Sequence, residues 1–384
     1  MTTRGRILLA ISLSALYCGM SLGGRILYLT ALFGMLSLLY GFTSILLSRF
    51  RLRVTCSLRE NRTLRGEEAL LSLHITRRGL LPVCPLQITI SDGNQPLFIN
   101  AQPRFRQDQE ICVPLSAQHV GAFSAGVTEY VYSDILGLFR ARIRCKSTNK
   151  CEMVVLPRAF DVEPLRFLSA DDGRMLQNRT SEDLSSPEDT RAYRTGDPLK
   201  RVHWKLSTRK RELIVRRFET PAPPDTLVLL DCALHGDQDT TKEEEFTLRD
   251  TLCETALSVV SMQLSAQSPV RLPLYGQQAH EFHSSKTEDL PLLQELLARQ
   301  TFLGGIEFER ILNMELRRMR QTGATVIITT RLTAGVVEGV KHIRQMGPNA
   351  RVYLITRTPD AEHDRPYVMQ LQQCLVEVCY VTPA

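Results

Sequence analysis

Residues 188–219 read EDTRAYRTGDPLKRVHWKLSTRKRELIVRRFE, and residues 226–231 read TLVLLD. The second run is continuously apolar up to Asp231, the pattern of a strand buried on both faces in a parallel sheet. The first is the most unusual stretch of the chain. From Arg191 to Arg217 it holds ten Lys or Arg against two acids, Asp197 and Glu212, while the whole chain carries only +6. A charge run this dense is either a solvated tail or an anion-facing surface. Tails lack Tyr193, Trp204 and the apolar Leu213–Val215, so the segment is expected to fold with its bases held in place. Thr195-Gly196-Asp197-Pro198 is a turn signal, and Asp197 with Pro198 at the first helical position predicts a short helix through Arg201 to Trp204. Leu213–Phe218 then alternates as a strand.

Downstream of Asp231, Thr241 is placed to cap a long helix whose first turn carries Glu243, Glu244 and Glu245, complementing the helix dipole. Strands at 270–275, 325–330, 351–356 and 376–381 alternate with helices at 288–299, 307–319 and 334–346. This alternation predicts a doubly wound α/β sheet, with ligands at the carboxyl ends of the strands, where Asp231 lies.

Upstream, residues 171–187 are polar and rich in Ser, Gly and Asp, which predicts a mobile loop. Residues 51–147 show an apolar period of two with turn residues between short runs, so a β-sandwich of Ig-like type is expected. Residues 7–24 and 26–47 are apolar runs joined at Gly23-Gly24-Arg25, a transmembrane hairpin with a tight turn. Arg4 and Arg6 precede it and Arg49, Arg51 and Arg53 follow, against Arg25 alone in the turn. The positive-inside rule then places both termini and the soluble parts in the cytoplasm of a multi-pass plasma-membrane protein. Ten cysteines without CxxC spacing read as free thiols in a reducing compartment. The expected domains are 1–50, 51–147 and 148–384.

The ordered pattern Tyr193-Arg194-x-Gly196-Asp197-Pro198-x-x-Arg201-Val202-His203-Trp204-Lys205-x-Ser207-x-Arg209, followed by Glu212-Leu213-x-Val215-x-x-Phe218-Glu219, resembles the bacterial family called domain of unknown function 58. The turn Asp134-Ile135-Leu136-Gly137-Leu138-Phe139 is similar to one that ends the family's β-rich domain. The resemblance implies a von Willebrand factor A-like domain over 148–384. It also implies a protein partner, a MoxR-type AAA+ ATPase, and in one lineage a transglutaminase-like membrane protein. The family's biochemical activity is not established.

No catalytic motif is recognisable. An A domain of the metal-binding kind carries Asp-x-Ser-x-Ser, whereas this chain has Asp231-Cys232-Ala233-Leu234-His235, a degenerate site with no hydroxyl cage for Mg²⁺. His280 and His283 differ in strand parity, which excludes a shared zinc on one face. Nucleotide-cradling glycine loops and the Gly-x-Ser-x-Gly elbow are absent, and no groove-reading motif points to nucleic acid. No cofactor is expected.

The candidate partner- or anion-binding residues are Arg191, Tyr193, Arg194, Gly196, Asp197, Arg201, His203, Trp204, Lys205, Ser207 and Arg209. One reading pairs their arginines with Asp197, Glu212 and Glu219 and buries Trp204. The other turns them toward an acidic protein face or anionic lipid. The expected function is a membrane-anchored cytosolic scaffold in a cell-envelope process. The alternative is an enzyme acting on an anionic, lipid-linked substrate, with His203 and Asp197 as acid and base.

Overall fold

Two apolar helices open the chain: α1, Thr3–Leu22, and α2, Arg25–Arg51. The computed structural model describes residues 1–77, 84–91, 96–102, 109–145, 150–163, 189–194, 202–217, 225–233, 241–276, 279–302, 307–319, 322–359 and 361–383, with backbone alone at 77, 189–191, 216 and 217. The chain divides into two units, Met1–Pro157 and Arg158–Ala384.

In the first unit, Gly23 takes a left-handed conformation (φ 69°) that ends α1 and turns the chain into α2. Both helices are long and apolar enough to cross a membrane. They run antiparallel, with Gly19 against Leu27 and Gly34 against Ser12. Their outer residues, among them Ile7, Leu13, Phe33 and Leu36, stay exposed.

The period-two stretches form two sheets. The first is antiparallel, β1 (Leu52–Leu58), β3 (Glu68–Arg77) and β6 (Gln109–Ser116). The second runs in the order β2 (Arg62–Leu64), β9 (Lys150–Leu156), β7 (Gly121–Ser133), β4 (Leu86–Ser91), β5 (Pro96–Ala101), and β8 (Arg140–Arg144) also pairs with β7. Alternate residues of both sheets, Leu71, Leu73 and Ile75 with Leu86, Ile88 and Ile90, share one buried core. The expected boundary at 147 moves. β9 pairs with β2 and β7, so it completes the first unit and does not open the second.

The first described strands of the second unit form a ribbon, β10 (Asp189–Ala192) paired with β11 (Ile214–Arg217), around the short helix α3 (Trp204–Lys210). A six-stranded sheet follows in the order β14 (His280–Ser284), β13 (Val270–Leu274), β12 (Asp225–Leu230), β15 (Thr322–Thr329), β16 (Asn349–Ile355), β17 (Glu377–Val381). All neighbours are parallel except the edge strand β14. Helix α4 (Lys242–Ser265) packs against β12, β13, β15 and β16, with α5 (Leu290–Arg299) beside it. On the other face, α6 (Phe308–Leu316), α7 (Ala334–Gln345) and α8 (Arg365–Gln373) share a core with Leu227, Leu229, Ile327, Val352 and Leu354. Helices thus cover both faces of a mostly parallel sheet. The cap on α4 is a full capping box: Thr241 accepts from Glu244 N, and the Glu244 carboxylate accepts from Thr241 N. β14 and α8 are additions to the sequence reading. The loop expected at 171–187 lies outside the described residues.

Candidate functional site

The basic segment folds around Ser207. Its hydroxyl accepts from Ile214 N at 2.9 Å and donates to Ile214 O at 3.4 Å, tying α3 to β11. The ribbon continues past the strands. Tyr193 N donates to Leu213 O and His203 N to Ile214 O, both at 2.8 Å, and Val202 bridges Val215. Val202, Ser207, Ile214 and Val215 are buried. Replacing Ser207 with Ala removes both hydroxyl bonds and leaves a buried amide unpaired. That should cost about 1–3 kcal/mol locally, read as loss of hydrogen-exchange protection at Ile214.

His203 caps α3, its Nδ1 accepting from Leu206 N at 3.3 Å. The cap was expected at Asp197, with the helix ending at Trp204. Instead the helix begins there, and Gly196, Asp197 and Arg201 lie outside the described residues. Of the two readings of the segment, the one that buries the tryptophan is not met: Trp204 is 60% exposed. Trp204, Lys205, Thr208 and Arg209 fall at helical spacing i, i+1, i+4, i+5, so they share one outward face, and all four are exposed. Among the described residues no ion pair engages Lys205, Arg209, Lys210, Arg211 or Glu212, so the internal pairing expected for Glu212 does not form there. Tyr193 is half-buried and Arg194 exposed, while Arg191 is placed by its backbone in β10.

Asp231 stands just beyond β12, which lies between β13 on one side and β15 on the other. It is buried. Its Oδ2 accepts from Thr329 Oγ1 at 2.7 Å and its Oδ1 from Ala233 N at 3.0 Å. The protein itself therefore occupies both carboxylate oxygens, and the neighbours Cys232 and Ala233 offer no oxygen side chain. Gln300 Nε2 lies 3.5 Å from Cys232 Sγ and donates to Tyr275 O at 3.0 Å. Burial, reinforced by Asp231, pushes the Cys232 thiol up to about 12, so it is not a thiolate nucleophile at neutral pH. Among the described residues no three His, Cys, Asp or Glu side chains gather into a metal-holding group. His280 and His283 are both exposed on edge strand β14, with Phe282 buried between them.

Two features escaped sequence reasoning. Gln300 reaches Cys232 from the end of α5 with no pattern to announce it. Glu315 is fully buried among Arg271, Arg318 and Tyr275, and its signal was present: it falls on the apolar stripe Phe308, Ile311, Leu312 of α6.

No curated protein matches this chain. Among solved structures, Cwp6 from Clostridium difficile matches at 7% identity and TM-score 0.21, covering 86% of this chain and 53% of its own. A Paenibacillus sp. cycloisomaltooligosaccharide glucanotransferase matches at 9% identity and TM-score 0.18, covering 85% and 52%. The chain thus spans about half the length of these structures, and at such scores neither carries an argument. One family model, described as "Protein of unknown function DUF58", matches residues 189–357, from the first residue of β10 to just past β16, so that the basic ribbon, Asp231 and most of the parallel sheet are a domain of that family.

Proposed function

We propose that the chain is a membrane-anchored adaptor that docks an acidic surface of a protein partner on the outward face of α3. The single observation behind this reading is the cluster of exposed Trp204, Lys205, Thr208 and Arg209, with Lys205 and Arg209 engaged in no ion pair among the described residues. Exposed cations around an exposed indole form a recognition surface in which charge sets the partner and the aromatic ring supplies the anchor. The partner chemistry fits a MoxR-type AAA+ ATPase, as the family resemblance implies, with a transglutaminase-like membrane protein as a further associate. In this proposal the first unit is an Ig-like sandwich on a two-span hairpin. The second is a von Willebrand factor A-like interaction domain without its metal. Both face the cytoplasm of a bacterial cell and serve a cell-envelope process. His203 spends Nδ1 on capping α3, which argues against the alternative of an acid–base enzyme at this segment.

The test is co-purification from native membranes. Lys205→Glu with Arg209→Glu should reduce recovery of the ATPase by about tenfold or more, with an unchanged melting curve. Recovery at the wild-type level would remove this face from the role. Recovery lost only when anionic lipid is depleted would assign the face to the membrane instead.

A further inference from the structure

The turn Asp134–Phe139 is fastened to the open end of the helical hairpin. Thr2 N and Thr2 Oγ1 both donate to Leu138 O at 2.9 Å, and the hydroxyl also reaches Gly137 O at 2.8 Å. Gly5 is the close approach here, since a side chain at that position would run into Leu138 O. From the other helix, Phe42 meets Phe139 edge-on with ring centroids 6.2 Å apart. Beside them, Ser48 Oγ accepts from Cys84 N at 3.0 Å, and Ser44 Oγ lies 3.2 Å from Cys84 Sγ. Asp134 closes the turn through Oδ1, which accepts from Phe139 N at 2.7 Å. The turn is therefore held at a fixed height against both helices.

That height can be read from the pairing of the helices. Gly19 faces Leu27 and Ser12 faces Gly34, so the antiparallel register sets residues 5 and 41 level with each other. Arg4 and Arg6 mark the same level as the place where α1 leaves the hydrocarbon. The tip of the turn presents Ile135 and Leu136, which are 61% and 49% exposed. Phe42, Leu46 and Phe50 are exposed on α2 at and beyond this level, and Arg49, Arg51 and Arg53 flank Phe50 in the sequence. Apolar tips with Arg4 and Arg6 at this height, and Arg49, Arg51 and Arg53 further along the chain of α2 and β1, are the composition of a headgroup boundary.

We infer that the Asp134–Phe139 turn is a membrane-seating element: it clamps the base of the hairpin and inserts Ile135 and Leu136 into the bilayer that the hairpin crosses. The occupant is lipid, because the patch is continuous with the lipid-facing helices, fixed to α1 by the hydrogen bonds of Thr2 and to α2 by the Phe42–Phe139 contact. The inference rests on the reading of α1 and α2 as membrane spans.

The experiment uses the full chain in nanodiscs, with Trp204→Phe to remove the only tryptophan and Ile135→Trp as reporter. Some discs contain lipid brominated near the top of the acyl chain. Emission from position 135 should shift to the blue and lose most of its intensity to the bromolipid, and Leu136→Trp should repeat the result if the first variant does not fold. Leu39→Trp, on the exposed side of α2, reports the hairpin itself. Quenching at 39 with water-like, unquenched emission at 135 and 136 overturns the seating element alone. Blue-shifted but unquenched emission at 135 overturns it too, because protein then covers the tip. Absence of quenching at 39 overturns the membrane reading, and the inference falls with it.

Discussion

Arg271→Met is expected to destabilise the second unit by about 3–5 kcal/mol, the usual cost of removing one partner from a buried ion pair. Arg271 reaches three carboxylates, Glu315 Oε2 at 2.8 Å, Asp225 Oδ2 at 3.3 Å and Glu281 Oε1 at 3.3 Å. Glu315 is the decisive one, because its side chain has no solvent exposure. Without Arg271 it keeps Tyr275 OH at 2.6 Å and Arg318 at 2.9 Å, but the Arg318 side chain is half exposed and screened. Arg271→Met with Glu315→Leu should recover most of the loss, since an apolar pair of similar volume is often as stable as a buried ion pair. Thermal denaturation of the four proteins of this cycle measures the coupling. No recovery in the double variant would show that packing, not charge burial, sets the cost.

The same network has a pH signature. Burial pulls the Glu281 carboxyl up, but hydrogen bonds from Arg318 and Arg271 outweigh it and hold the group below the usual carboxylate range. Its folded-state pKa is depressed. Its stabilisation is therefore present above the unfolded value and is lost as pH falls through the folded one. Arg271→Met removes one of those bonds, so the variant should lose less stability across the acid range than the wild type does.

The parts of the fold legible in the sequence are those written in local patterns. The hairpin follows from two apolar lengths and a glycine joint, and Gly23 indeed carries the left-handed turn. The capping of α4 follows from Thr241 and the glutamates behind it. β12 and β15 follow from continuous apolar runs. Illegible were features set by distant partners. β9 falls past the boundary expected at 147, yet its hydrogen bonds go to β2 and β7. β14 carries two histidines and a glutamate because an edge strand needs only Phe282 and Ser284 turned inward. At the candidate site, the density of bases was plain, but their exposure was not. Composition does not show that Ser207, a small polar residue, would be the buried tie, while Trp204, the most apolar-looking residue in the stretch, would face outward.

Leu229→Ala tests whether the parallel sheet is organised as described, with an expected loss of about 2–5 kcal/mol for truncating a fully buried leucine. Leu229 lies in β12, opposite Ile327 of β15, and its side chain joins the core beneath α6, α7 and α8. Close packing on that side, with Leu312, Val336, Val340 and Leu354 all fully or nearly fully buried, leaves little room for collapse into the cavity. Leu213→Ala is the comparison. Leu213 is 44% exposed beside β11, and its truncation should stay within about 0.5 kcal/mol. Denaturation followed by far-ultraviolet circular dichroism reads both. The larger variant also bears on Asp231. The register that sets Leu229 against Ile327 sets Leu230 against Ile328, and the next step brings Asp231 to Thr329. A cavity at Leu229 should loosen that last hydrogen bond before the sheet melts, seen as faster amide exchange at Asp231 and Ala233. Protection there unchanged, with the same fall in melting temperature, would mean that the carboxylate is held by its own turn and not by the strand below it.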